Sequence, residues 1–126
     1  MKNSILGLVA LLMAAVSVSA AQPGKALYTA AGLVFIDGNH RALYTFDNDK
    51  PDTSSCYGEC AAAWPPYLAN AHAKPEGDWT LVARTDGSRM WAYRHRPLYT
   101  YGEDKNPGDV NGNGVGGFWQ VAKPKF

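Results

Sequence analysis

A mostly β fold, built as a single small pseudo-symmetric domain from two interlocked repeats of short antiparallel strands, is what this sequence predicts. Three observations predict it. His40-Arg41-Ala42-Leu43-Tyr44-Thr45-Phe46-Asp47-Asn48-Asp49-Lys50 aligns without a gap on His95-Arg96-Pro97-Leu98-Tyr99-Thr100-Tyr101-Gly102-Glu103-Asp104-Lys105, with seven of eleven positions identical at an offset of 55 residues. The same offset carries Trp64 onto Trp119, so the correspondence runs past the loops that follow each segment. In both segments rings recur at every second position, Tyr44 with Phe46 and Tyr99 with Tyr101; this is the period of a strand, and it puts each pair of rings on one face. Units of this size are too small for independent cores, so each is expected to bury its apolar face on the other.

From the N-terminus, the first twenty residues are a different kind of sequence. Lys2 gives a positive start, Ile5 to Val16 is an almost unbroken apolar run, and Val18-Ser19-Ala20 offers the small residues a signal peptidase reads. Residues 1–20 are therefore expected to be an export signal cut after Ala20, with Ala21 the competing site. The apolar stretch falls short of the roughly 20 residues a membrane anchor needs, so no transmembrane segment is expected after cleavage. Residues 21–126 form the domain, with repeats over 24–68 and 79–126. Without Lys2 the chain carries eleven basic and eleven acidic side chains. That balance supplies no field for drawing the protein onto nucleic acid or an anionic membrane.

Turn residues divide the remainder. Asp37-Gly38-Asn39 separates Leu33 to Ile36 from the first repeat strand, and Asp86-Gly87-Ser88 separates Thr80 to Arg84 from Met90 to Tyr93. Both are hairpin signals. A short turn at Arg94-His95-Arg96 would make Trp79 to Tyr101 a three-stranded meander. Glu59 to Trp64 suits at most one helical turn, which Pro65-Pro66 ends. Ala69 to Asp78 reads as a surface connection with its turn at Lys74-Pro75-Glu76-Gly77, and Phe118 to Val121 as the final strand. Cys56 and Cys60 are the only cysteines; in an exported chain they are expected to pair and to act as a local clip, because the loop they close is short.

The duplicated hexapeptides Tyr44-Thr45-Phe46-Asp47-Asn48-Asp49 and Tyr99-Thr100-Tyr101-Gly102-Glu103-Asp104 follow the order Tyr, any residue, aromatic, two residues, Asp. With the Cys56 to Pro66 block and the block from Pro107-Gly108-Asp109 through Gly112 and Gly114 to Trp119, this resembles a family of small secreted proteins and predicted lipoproteins described as a secreted repeat of unknown function. The resemblance covers nearly the whole mature chain and implies architecture and export without implying a reaction. The chain lacks the lipid-acceptor Cys of many members, so a soluble form is expected.

The motif carries a structural reading. Tyr44, Phe46, Tyr99 and Tyr101 seal the interface between repeats, Asp49 and Asp104 accept backbone N–H groups of the turns that follow, and Trp64 and Trp119 plug the core. Asp109, Asn111 and Asn113 with Gly114 mimic the opening of a calcium loop, to which Glu103 and Asp104 could add oxygens; Gln120 stands where the bidentate carboxylate belongs. No cofactor is required otherwise. His40 and His95 fall at equivalent turn positions, each followed by Arg, which opposes a metal. Ser54 and Ser55 have no base in a recognisable order. The resulting expectation is an exported, soluble, non-catalytic binding or envelope-associated module, periplasmic or secreted, whose partner is a small molecule or an envelope protein. The alternatives are a divalent-metal-binding protein using the 103–113 loop and a small extracytoplasmic enzyme or redox protein with a cleft between repeats.

Overall fold

The computed structural model describes residues 22–125. The expected export signal and its cleavage site lie outside the described residues. The first repeat opens with an antiparallel hairpin, β1 (Lys25–Thr29) and β2 (Gly32–Ile36), in register from Lys25 opposite Ile36 to Thr29 opposite Gly32. Its turn is held by the Thr29 hydroxyl, which accepts the Ala31 N–H and donates to the Gly32 carbonyl, while Gly32 takes φ 93°. Sequence reasoning did not identify β1. Three of its five residues are exposed and Tyr28 is 81% exposed, so it lacks a continuous apolar face.

After β2, Asp37 Oδ1 accepts the N–H groups of Asn39 and Arg41 and folds the chain back. The expected hairpin with the first repeat strand is short. Ile36 bridges Ala42 and Leu43 N–H donates to Phe35, and then β3 (Tyr44–Phe46) departs to another partner. The second repeat supplies β4 (Trp79–Ala83), β5 (Arg89–Tyr93) and β6 (Arg96–Pro97) as a three-stranded antiparallel meander. The β4–β5 turn uses Asp86 Oδ1, which accepts the Ser88 N–H and hydroxyl, and Gly87 at φ 89°. At the β5–β6 turn Arg94 and His95 take φ 49° and 70°, the two left-handed residues of a tight hairpin. The final strand is β7 (Trp119–Val121), and its partner is β3.

The two halves are joined about a pseudo-two-fold axis. Tyr44 N–H donates to the Tyr99 carbonyl at 2.7 Å, and Tyr99 N–H returns the bond to the Tyr44 carbonyl at 2.9 Å. Around that exchange each repeat's tyrosine strand is completed by the other half. Tyr44, Thr45 and Phe46 face Val121, Gln120 and Trp119, while Tyr99 bridges Pro66 and Thr100 N–H donates to Pro65. The bond from Asp47 N–H to Phe118 has its counterpart in the bond from Gly102 N–H to Ala63. Pro65 and Pro66 offer no N–H, so only one side of the axis has a continuous ladder.

Strand alternation sorts the interior into two layers. Tyr44, Trp64, Met90, Tyr99 and Trp119 gather in one buried cluster, and Phe35, Leu43, Trp79, Tyr93 and Leu98 in the other. A short helix, α1 (Glu59–Ala63), returns the chain to Trp64, whose N–H donates to Cys60. Cys56 is bonded to Cys60 across the start of that helix, with Cα atoms 5.3 Å apart. Reduction of this disulfide is expected to cost about 2 kcal/mol, the chain-entropy value for so short a loop. Urea unfolding with and without a reductant should show a shifted midpoint and a transition that remains cooperative.

Candidate functional site

The tyrosines and aspartates of the duplicated motif bond across the axis. Tyr44 Oη donates to Asp104 Oδ2 at 2.6 Å, and Tyr99 Oη donates to Asp49 Oδ2 at 2.7 Å. Each Asp uses its other oxygen within its own repeat: Asp49 Oδ1 accepts the Ser55 N–H and hydroxyl, and Asp104 Oδ1 accepts the Asn111 N–H. One carboxylate thus shapes its own loop and holds the opposite repeat. Burial, reinforced by the bond to Asp104, pushes the Tyr44 phenol far above the ordinary tyrosine range, against a smaller opposing effect of the Gly112 N–H. Burial also pushes the Tyr99 phenol far up; the Ser54 hydrogen bond opposes that rise and Asp49 adds to it.

The rings form a four-member stack through the axis. Trp64 and Trp119 lie face to face with centroids 3.9 Å apart and planes 1° apart. Tyr101 covers the outer face of Trp64 at 3.9 Å, and Phe46 covers Trp119 at 4.2 Å. Tyr44 and Tyr99 meet the two indoles edge-on at 5.3 and 5.2 Å. These rings fill the space at the axis between the repeats and leave no cleft there.

Gly112 lies against this stack. A Cβ there would come within 2.6 Å of Trp64 Cη2, 2.8 Å of its Cζ3 and 2.9 Å of Tyr101 Cδ2. The sequence shows this glycine only as one position of the Pro107 to Trp119 block, and its role is to leave room for the stack.

The chain also buries a cation that sequence reasoning missed. Arg84 is 7% exposed; its Nη1 donates to Ser54 Oγ and its Nη2 to the Cys56 carbonyl, both at 2.9 Å, and its guanidinium lies 4.2 Å from the Tyr57 ring centre. Among the described residues it makes no ion pair with a carboxylate. Ser54 Oγ and Tyr99 Oη are 2.6 Å apart, so a directed chain runs from Arg84 through Ser54 and Tyr99 to Asp49. Ser54 has a guanidinium and a phenol as neighbours and no base to activate it. The available signal was parity, since Arg84 shares the inward face of Val82 two positions earlier.

The loop candidates have other partners. Asp109 Oδ2 accepts the N–H groups of Lys105 and Asn106, and these two bonds hold its carboxyl below the usual range, Asn106 foremost. Asn113 Oδ1 accepts the Val121 N–H, and Asn111 Nδ2 points to the Glu103 carbonyl. Among the described residues no group of three or more His, Cys, Asp or Glu is gathered to hold a metal. His95 pairs with Asp52 at 2.9 Å in an exposed setting.

An open cavity of about 730 Å³ lies beside the second layer, away from the ring stack. Phe35, Trp79 and Tyr93 line it, with ring centroids 4.7 to 5.2 Å apart. Lys25 and Lys125 together with Glu76 and Asp78 contribute charge of both signs.

A family model described as a secreted repeat of unknown function matches residues 25–67 and 80–123, one match to each half. No curated protein and no solved structure matches the chain.

Two stability predictions arise from this geometry. Gly112→Ala should destabilise by about 3 kcal/mol, the upper end for overpacking, because the added methyl meets the stack. Tyr44→Phe should cost about 3 kcal/mol and Tyr99→Phe less, since Asp104 is 4% exposed and Asp49 is more open and keeps two Ser55 donors. Urea titrations of the three variants measure both.

A pH prediction follows from the two phenols. They ionise less readily when folded than unfolded, so their contribution to stability is complete below the ordinary value of 10.0 and is lost as pH rises above it towards the folded values. Each tyrosine is expected to steepen the alkaline loss of stability by about 1.4 kcal/mol per pH unit. Unfolding midpoints followed from about pH 9 to about pH 11 should fall less steeply in Tyr44→Phe.

Proposed function

The chain belongs to the family described as a secreted repeat of unknown function, and from that premise we propose that it works as an exported, soluble, non-catalytic binding module of the periplasm or the cell exterior. The reading is supported by how the motif side chains are used. Tyr44, Asp49, Tyr99 and Asp104 bond to one another across the axis, and Ser54 serves Arg84 and Tyr99. Among the described residues only Thr80 Oγ1 is a buried side-chain polar atom without a hydrogen-bond partner. Among those residues, too, no helix is long and apolar enough to cross a membrane.

The observation that carries the binding role is the open cavity of about 730 Å³, within the size range of small-molecule sites. The edges of Phe35, Trp79 and Tyr93, 2 to 8% exposed, give it a small apolar base, and the lysines and carboxylates around it suit a molecule with polar substituents. A small amphipathic ring compound is therefore the proposed ligand class. Such a ligand would sit beside the second layer and leave the ring stack untouched.

Binding of anilinonaphthalene sulfonate, followed by calorimetry and by tryptophan fluorescence, tests the site. The expected result is saturable binding with one site per chain, lost in Ala26→Trp, which places a bulky ring in the cavity from an exposed strand position. Binding that survives that substitution would place the probe elsewhere and overturn the assignment, and so would an absence of binding to the unsubstituted protein.

A further inference from the structure

The ring stack and the crossed phenol–carboxylate pairs have a chemical capacity beyond packing. Electron transfer through protein falls off steeply with distance, so rings in contact pass charge by short steps far faster than one long jump would. Here Tyr101, Trp64, Trp119 and Phe46 are spaced 3.9, 3.9 and 4.2 Å apart, and the two indoles are parallel within 1°. An oxidised indole in such a sandwich shares its positive charge with its neighbour. Each indole also has a tyrosine edge-on at 5.2 to 5.3 Å, and each of those tyrosines donates to a carboxylate.

We propose that this assembly is a one-electron sink in which oxidising equivalents enter the stack at its half-buried Tyr101 end and come to rest on Tyr44. The external oxidant is of the organic peroxyl-radical class. It takes one electron from the stack and one proton from water, leaving hydroxide in the solvent, and becomes a hydroperoxide. The electron lost by the stack is replaced by Tyr44, whose O–H bond breaks as its proton passes to Asp104 Oδ2. The products are a neutral phenoxyl radical on Tyr44 and a protonated Asp104.

Proton transfer is required because a phenol that loses an electron while keeping its proton becomes a very strong acid. The carboxylate 2.6 Å away is placed to receive that proton. Burial, which raises the Tyr44 phenol, closes the alternative of prior ionisation to water.

The two arms are not equal, and the difference selects Tyr44. Tyr99 Oη is bonded to Ser54 Oγ, which the buried Arg84 guanidinium holds at 2.9 Å. A nearby cation makes removal of an electron harder in a poorly solvated interior. Tyr44 has the neutral Gly112 N–H in that place; the cation on its side, Arg41, donates to the Asp104 backbone carbonyl and bonds neither the phenol nor a hydroxyl attached to it. Asp104, at 4% exposed, also retains the transferred proton beside the radical, whereas the more open Asp49 can exchange it with water.

The test is laser flash-quench oxidation of the mature protein by photogenerated tris(bipyridine)ruthenium(III), with transient absorption distinguishing indole from phenoxyl radicals. All variants carry Tyr28→Phe, which removes the phenol hydroxyl of a residue that is 81% exposed and so the competing phenoxyl signal. An indole radical that decays into a long-lived phenoxyl radical is expected, with slower transfer in heavy water. Tyr44→Phe should abolish the long-lived phenoxyl signal and leave the charge on the indoles, and Tyr99→Phe should retain it. Asp104→Asn keeps a hydrogen-bond acceptor but removes the base, and should lose the signal even if Tyr44→Phe fails to fold. An unchanged phenoxyl yield in Tyr44→Phe or in Asp104→Asn would overturn the proposal. So would the absence of a heavy-water effect in the parent protein, a readout that needs no motif substitution.

Discussion

The structure depends on a reciprocal exchange between Tyr44 and Tyr99. Their backbones trade hydrogen bonds at the axis, and their phenols reach past each other to the aspartate of the opposite repeat. Neither repeat can satisfy its own motif. The tyrosine donates outward and the aspartate receives from outside, so a single copy would leave a buried phenol and a carboxylate without their partners, a cost of the kind that unpaired buried polar groups carry. The spacing of the motif follows from this. The second aromatic, two residues after the tyrosine, becomes the outer plate of the ring stack, and the aspartate three residues further on sits at the turn where it can face both its own loop and the other half.

Different local solutions are superimposed on this symmetry. In the first repeat, the disulfide, α1 and the Pro65-Pro66 pair bring Trp64 back to the axis, and Arg84 reaches over from β4 to bond the Cys56 carbonyl. In the second, a glycine- and asparagine-rich loop performs the same return for Trp119, with Asp109 fastening its start and Asn113 its end. The covalent clip on one side and the side-chain hydrogen bonds on the other are alternative ways of holding an indole in one place. They also give the equivalent tyrosines unequal surroundings, with a hydroxyl backed by a cation at Tyr99 and a backbone amide at Tyr44.

Much of the architecture was legible because it is written twice. The offset that relates Tyr44 to Tyr99 and Trp64 to Trp119 is visible without coordinates, and the Asp86-Gly87 turn marks the β4–β5 hairpin by its chemistry. The strand β1 was illegible because an exposed edge strand needs little apolar alternation, and its turn is held by the Thr29 hydroxyl where a glycine or asparagine pair would have been a signal. Which aspartate each tyrosine meets cannot be read from identical copies, since the pattern is the same whether the bonds stay within a repeat or cross. Arg84 was passed over because its place beside a turn resembles an exposed position, although its parity with Val82 points inward. At Gly112 the sequence suggests conformational freedom, and only the nearness of Trp64 shows that empty space is what the position needs.

The crossed arrangement has a consequence for assembly. Every bond that joins the halves links one repeat to a non-identical copy of itself, and the chain between them passes through the surface segment Ala69 to Asp78. The same bonds are available between the first half of one molecule and the second half of another, with no new contact required beyond the linker's path. Closure within one molecule is favoured by the high local concentration that tethering provides. The length and stiffness of that linker therefore govern whether the protein remains a monomer or exchanges halves into a domain-swapped dimer.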